Sequence, residues 1–337
     1  MTSLINGLGG DAGFGENSLP ANDDDSTSQI DGTGVFPNGL NFFGNTWTSL
    51  YINNNGNITF DQPQGTYTPF VLTGATSNPI IAAFFADVDT EGGTVAASPG
   101  GTSTGSNLLF WDLDSGNGAL TATWDDVGYF SAGTDLLNAF QIQLVDRSVG
   151  NSPGDFDIRF LYENLEWTTG DASDGIHARA GYSSGNGTDF HELSESGNAA
   201  QMLDLVNRTN TGQPGEFVFT VRNGVVLDPP DVQFMDAAVS VIEDVGIVEV
   251  ELTRTGDLTA GSTVQVAVGT GGASTATPER TLVSSIFLPP LPSARVKPRP
   301  LLTSQLLMIQ SLNLMKSLAC LFPVFPMPRS AIPLFIP

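Results

Sequence analysis

The sequence predicts an all-β protein, an antiparallel sandwich-type body followed by further strands and an irregular tail. Three observations carry this reading. Between Phe36 and Arg222, short runs rich in β-branched and aromatic residues are separated by Gly, Asn and Asp turn signals. No long stretch there holds a 3.6-residue apolar period, so amphipathic helices are not expected. Near Glu279 the composition changes abruptly, which sets the tail apart from everything before it.

Taken in order, residues 1–32 are polar and Gly/Asp-rich, with the acidic run Asn22–Ser26, and read as an irregular lead-in. Leu50–Asp61 places Asn55-Gly56 between two β-rich runs; these residues tolerate positive φ cheaply, so a hairpin is expected. Asn78–Asp89 is a continuous apolar run suited to a buried central strand. Leu120–Tyr129, Asn138–Val145, Asp155–Tyr162 and Glu216–Arg222 alternate or run apolar as strands do. Ala199–Val206 is the best helix candidate. Residues 223–230 form a linker stiffened by Pro229-Pro230. Beyond it, strands are expected at Val232–Val241, Gly246–Arg254 and Thr263–Val268.

The chain has 337 residues and a formal charge of −24. So much negative charge argues against nucleic acid and anionic membrane surfaces, and it favours divalent cations as partners. Cys320 is the only cysteine, so no intrachain disulfide can form. The first twenty residues lack the basic and apolar regions of a Sec signal peptide, so either the protein is cytoplasmic or it is exported by a route that reads a different signal.

Residues 1–278 contain no Lys and six Arg, yet are dense in Gly and Asp; residues 279–337 contain no Gly, no Asp and a single acidic residue, Glu279. Two readings account for this: a basic, apolar C-terminal anchor, or a stretch translated out of frame. The genetic code favours the second. Read from the third base, the junction Met308–Ile309 must spell aspartate and Met315–Lys316 must spell glutamate. Loss of one base after the Pro278 codon would then replace an acidic sequence with the observed tail. As an anchor, the apolar run Leu301–Phe325 is broken by Gln310, Asn313 and Lys316, and membrane insertion is not expected unless the tail is a real segment.

Seven blocks occurring in family order make residues 33–222 resemble the nidogen-like extracellular domain. They are Ser49–Phe60, Asn78–Thr90, Thr121–Phe130, Asn138–Val145, Phe156–Trp167, Ala178–Gly187 and Gly215–Gly224. Residues 231–278 resemble the first half of a Calx-beta domain, which implies an incomplete second β-sandwich ending where the frame is lost. Together the resemblances imply a bacterial extracellular or cell-surface protein of the cell–matrix adhesion type, contacting a matrix or surface protein or a polysaccharide. The alternatives are a calcium-stiffened structural spacer, or a carbohydrate-binding module of a larger secreted exoprotein. The Calx-beta resemblance also implies that Glu243 is the remnant of a calcium cluster; one Glu, even with Asp244, falls short of the six to eight oxygens calcium prefers.

In the body, Asp87 and Asp89 follow a buried strand at spacing two, so both carboxylates can leave one face as an edge calcium site, helped by Asp125, Asp126 or Asn54. The bland alternative is a solvated strand end. His177 and His191 lack the partners a transition metal needs. Trp47, Trp111, Trp124 and Trp167 could line a sugar-binding face or pack in a core. No nucleophile-elbow, phosphate-loop or dinucleotide motif is present, and the expectation is a protein without catalytic activity. A chain ending near Arg222 is expected to be more soluble than the full chain, because the broken second domain leaves unpaired strand edges.

Overall fold

Alternation along Glu216–Arg222 becomes burial side chain by side chain: Phe217, Phe219 and Val221 are buried, and the residues between them are partly exposed. One face of that strand lies on a core and the other meets solvent, the arrangement a half-covered antiparallel sheet requires. The structure is a computed structural model describing residues 2–76 and 78–227 with their side chains and, beyond 230, the backbone of eight strands. The chain divides into two units, Met1–Leu227 and Asp228–Pro337.

In chain order the first unit holds β1 (Asn17–Ser18), β2 (Ile30–Asp31), β3 (Leu40–Phe42), β4 (Asn45–Trp47), β5 (Ser49–Asn53), β6 (Asn57–Thr59), β7 (Ile80–Phe85) and β8 (Val88–Asp89). It continues with β9 (Leu108–Asp114), β10 (Ala119–Tyr129), β11 (Gly133–Asp146), β12 (Phe156–Leu165), β13 (Arg179–Ser183), β14 (Phe190–Glu192), the short helix α1 (Ala199–Leu203), β15 (Glu216–Arg222) and β16 (Val225–Leu227). One sheet runs β1-β9-β10-β11-β12-β15-β16, with β8 also beside β10; the other runs β14-β13-β7-β6-β5-β2. Pairing within both sheets is antiparallel, and β3 and β4 form a separate hairpin. The expected all-β sandwich-type fold is what forms.

The core between the sheets draws Leu120, Trp124, Phe140 and Phe160 from the first and Ile52, Ile58, Ile81 and Phe84 from the second. Trp124 stacks on Phe140 with centroids 4.9 Å apart, and Phe84 crosses from the opposite sheet to within 5.6 Å of the same ring. Two bulges set which residues face this core. Between the pairs Ala82↔Gly181 and Phe85↔Arg179, β7 has two residues where β13 has one, so Ile81 and Ala83, then Phe84 and Ala86, all join the central core. Ile80, Ala82 and Phe85 cover the outer side under Phe70 and Leu72, which is why the apolar run is continuous. In β10, Asp125 and Asp126 together oppose Ala139, with Asp126 at φ +51°.

The hairpin expected at Asn55-Gly56 is present. Asn53 pairs with Asn57, leaving the loop Asn54-Asn55-Gly56 between β5 and β6. Gly56 has φ +78°, and a Cβ there would lie 1.9 Å from the Phe84 carbonyl oxygen. Gly56→Ala is expected to cost about 1–2 kcal/mol from the left-handed backbone alone, and more from the overlap; the urea midpoint of the full chain checks it. The helix expected at Ala199–Val206 is also present. It is α1, capped by Asn198 accepting from the Gln201 N–H, followed by a 3-10 turn over Asp204–Val206.

The segment 1–32, read from the sequence as a lead-in, is built into the unit. Leu4 and Phe14 pack on Ala139 and Leu161 on the outer face of the first sheet, and Leu19 and Ile30 enter the central core. Its apolar residues are isolated among Gly and Asp, so no periodicity marks them. In the second unit the described backbone comprises β17 (Asp231–Phe234), β18 (Ser240–Val241), β19 (Ile247–Thr255), β20 (Ser262–Thr270), β21 (Leu282–Leu288), β22 (Thr303–Gln310), β23 (Leu318–Ala319) and β24 (Ile332–Ile336). There β19 pairs antiparallel with β17 and β22, and β20 pairs antiparallel with β21 and parallel with β24.

Candidate metal centre

One end of the sandwich gathers carboxylates from two distant parts of the chain. Asp87 leaves the end of β7, and the segment Asn22–Asp25 crosses beside the β5–β6 loop and β8. Backbone bonds hold the crossing: the Asn54 N–H donates to the Asp25 carbonyl at 2.9 Å, and the Thr90 N–H donates to the Asn22 carbonyl at 2.9 Å. The Thr90 hydroxyl accepts from the Asn22 N–H at 2.8 Å, and the Asn55 amide donates to Asp24 Oδ1 at 2.8 Å. The result places a carboxylate oxygen from each of Asp23, Asp24 and Asp87 within 4.8 Å of one another.

Two of the three carboxylates keep an oxygen free of the protein's own hydrogen bonds. Asp87 is 1% exposed; its Oδ2 accepts from the Ser173 hydroxyl at 3.2 Å, and its Oδ1 has no partner. Asp23 Oδ1 is likewise buried without a partner. Asn54, fully buried, donates its amide to the carbonyls of Asn22, Asp23 and Val88, and its Oδ1 is unpartnered as well. Buried oxygens normally find donors, so three orphans at one place call for an explanation.

Charge sharpens the point. Burial first, then the neighbouring charges of Asp24, Asp89, Asp87 and Glu91, push Asp23 up to about 7. Burial also pushes Asp87 up to about 6, with Asp24, Asp89 and Asp171 adding to it and the Ser173 hydrogen bond opposing it. Asp24 is raised by burial against the opposing Asn55 bond. The residues described with their side chains include no lysine, and the arginines among them are engaged elsewhere: Arg147 and Arg222 with Asp157, Arg159 with Glu216, Arg179 with Glu192, and Arg208 with Asp204. An all-oxygen, carboxylate-rich set of this kind suits a hard divalent cation.

Residues 48–223, just over half of the chain, match the model of the nidogen-like domain. The chain belongs to the nidogen-like domain family. Over 203 residues it is 32% identical to nidogen of Drosophila melanogaster, covering 54% of this chain and 14% of that protein. Alpha-tectorin of Gallus gallus is 28% identical over 233 residues, 64% of this chain and 10% of the tectorin. Dendrite extension defective protein 1 of Caenorhabditis elegans is 26% identical over 191 residues, 53% of this chain and 16% of that protein. The chain thus spans less than a fifth of the length of these curated relatives. No solved structure matches it.

Within the nidogen-like domain, the two aspartates at spacing two part company. Asp87 enters the cluster, whereas Asp89 accepts at Oδ1 from the Glu91 N–H at 2.8 Å and at Oδ2 from the Ala132 N–H at 2.7 Å. Asp125, by strand alternation, and Asp126, through the β10 bulge, both turn to the loop 98–106. There Asp125 accepts from the backbone of Thr104 and Ser106, and Asp126 from that of Ser98 and Gly105. Asp23 and Asp24 escaped sequence reasoning as ligands, since nothing local ties Asn22–Ser26 to a strand sixty residues away; their acidity was the available signal. Glu243 lies outside the described residues. His177 bonds the Thr168 hydroxyl and His191 stacks on Tyr182, neither at the carboxylates. Trp124 and Trp167 are buried, and Trp47 and Trp111 are half-buried against the core, so none of the four stands exposed as a sugar platform.

Proposed function

We propose that this chain is an extracellular interaction module of the matrix type, binding a protein partner and performing no catalysis. The observation that carries the reading is the nidogen-like match over residues 48–223, supported by relatives named nidogen, alpha-tectorin and dendrite extension defective protein. A sandwich fold hosts many roles, so the inference rests on family and not on architecture. The placement of the four tryptophans gives the carbohydrate reading no support. A second reading, a calcium-stiffened spacer, is favoured by the acidic cluster at the sandwich end.

The test is surface plasmon resonance of the immobilised full chain against matrix proteins and matrix polysaccharides, each with calcium and with chelator. Saturable binding to a protein is expected. Binding to polysaccharide alone would replace this reading with the carbohydrate one, and no binding at all would leave the spacer role.

A further inference from the structure

We propose that Asp23, Asp24 and Asp87, with the Asn54 side-chain oxygen, hold a calcium ion that clasps the N-terminal segment 22–25 to the end of the sandwich. The inference does not depend on the binding role proposed above. Acidic clusters at a surface are common, and this one differs in what accompanies it. Asp87 is 1% exposed and keeps an oxygen with no hydrogen-bond partner, and its carboxylate is one of the three that converge. Asn54 is neutral, fully buried and not part of the acidic cluster. Its carboxamide is fixed on the Asn22 and Asp23 carbonyls, and its Oδ1 is also left without a donor. An uncharged orphan acceptor on a side chain that grips the Asn22–Asp23 backbone is what a cation explains and what carboxylate repulsion alone does not.

The donor set selects the ion. Every candidate ligand atom is a hard oxygen, with neither His nor Cys among them, which disfavours zinc and copper. Three carboxylates, each able to bind through one or two oxygens, together with an amide oxygen and water, can supply the irregular shell of six to eight oxygens that calcium accepts. Magnesium demands a tighter octahedron and dehydrates reluctantly, so it should bind more weakly. Because the ligands come from the N-terminal segment, the β5–β6 loop and the end of β7, the ion would bridge parts of the chain that are otherwise joined by a few hydrogen bonds.

The experiment uses the full chain, stripped with chelator and followed by circular dichroism during heating. Calcium at about a hundredfold above its Kd is expected to raise the Tm by about 5–10 °C, with a smaller rise for magnesium. Asp23→Asn and Asp87→Asn are each expected to abolish the calcium shift yet to melt in chelator no lower than the parent, because a neutral amide relieves the repulsion. A purely structural role would lower both melts. An unchanged parent Tm in millimolar calcium overturns the proposal, as does a full calcium shift in both variants, which would place the ion elsewhere. Should a variant fail to fold, terbium luminescence in the parent decides. The Trp124 indole donates to the Asn54 carbonyl at 2.7 Å and sits beside the site. Sensitised terbium emission that calcium displaces and that Trp124→Phe largely removes supports the site; emission unaffected by Trp124→Phe overturns it.

Discussion

Trp124→Ala is expected to lower stability by about 3–5 kcal/mol, the range for emptying a fully buried aromatic position. Trp124 is 0% exposed, its ring stacks on Phe140 at an interplanar angle of 12°, and its Nε1 donates to the Asn54 carbonyl. Removing it opens a cavity between the sheets and takes one of two donors from that carbonyl, which still accepts from the Gly56 N–H at 2.8 Å, so the cavity dominates the loss. Trp124→Phe keeps most of the packing and loses the hydrogen bond, so its cost should be a fraction of the alanine cost. Trp111→Ala, at a half-buried ring, is the control. The readout is the urea midpoint of the full chain by circular dichroism; equal midpoints for Trp124→Ala and Trp111→Ala would sink this account of the core.

Glu163→Ala is expected to cost at least about 3 kcal/mol, since it strands three backbone donors at about 1–3 kcal/mol each when buried. The Glu163 carboxylate lies on β12 and accepts from the N–H groups of Leu4 at 2.8 Å, Thr102 at 2.7 Å and Ser103 at 2.8 Å, and from the Thr102 hydroxyl. It therefore joins the N-terminal segment and the loop 98–106 to one strand. Gly101 passes so close that a Cβ would fall 1.9 Å from the carboxylate carbon. Released from this anchor, residues 2–16 should become the first site of proteolysis, and loss of stability without that early cleavage would count against the anchoring role.

The pH dependence follows with a definite sign. Burial raises the Glu163 pKa, but the donated hydrogen bonds of Thr102, Leu4 and Ser103 outweigh it, and the net shift is downward. A depressed carboxylate contributes stability that is fully present above its unfolded pKa and is lost as pH falls through its folded one. Glu163→Gln should therefore flatten the acid limb of the stability curve below about pH 4.5, because the amide no longer titrates and its NH₂ must face a backbone donor. An acid limb identical to the parent's would refute this.

Strand content was largely legible because its signals are local. Period-two burial in Glu216–Arg222, the Asn-Gly turn at Gly56 and the capped helix at Ala199 each need only neighbours in sequence, and each formed where the residues indicated. The bulges in β7 and β10 were not legible. An extra residue is recognised only against its partner strand, and the β10 bulge leaves Asp126 beside Asp125 on the loop 98–106.

The sequence by itself determined the all-β class, the nidogen-like resemblance and the acidic, cysteine-poor character, since composition, alternation and ordered blocks are properties of the chain alone. It also pointed to Asp87, because an aspartate ending a buried apolar run is a local anomaly. Only the tertiary structure decided that Asp89 spends its oxygens on backbone donors, that Trp124 and Trp167 are core, and that Asp23 and Asp24 meet Asp87. The physical reason is that such a cluster is a long-range object: its members are separated by up to 64 positions and share no periodicity. Burial, which raises the carboxylates' pKa values and leaves their oxygens without partners, arises only when the sheets close over them.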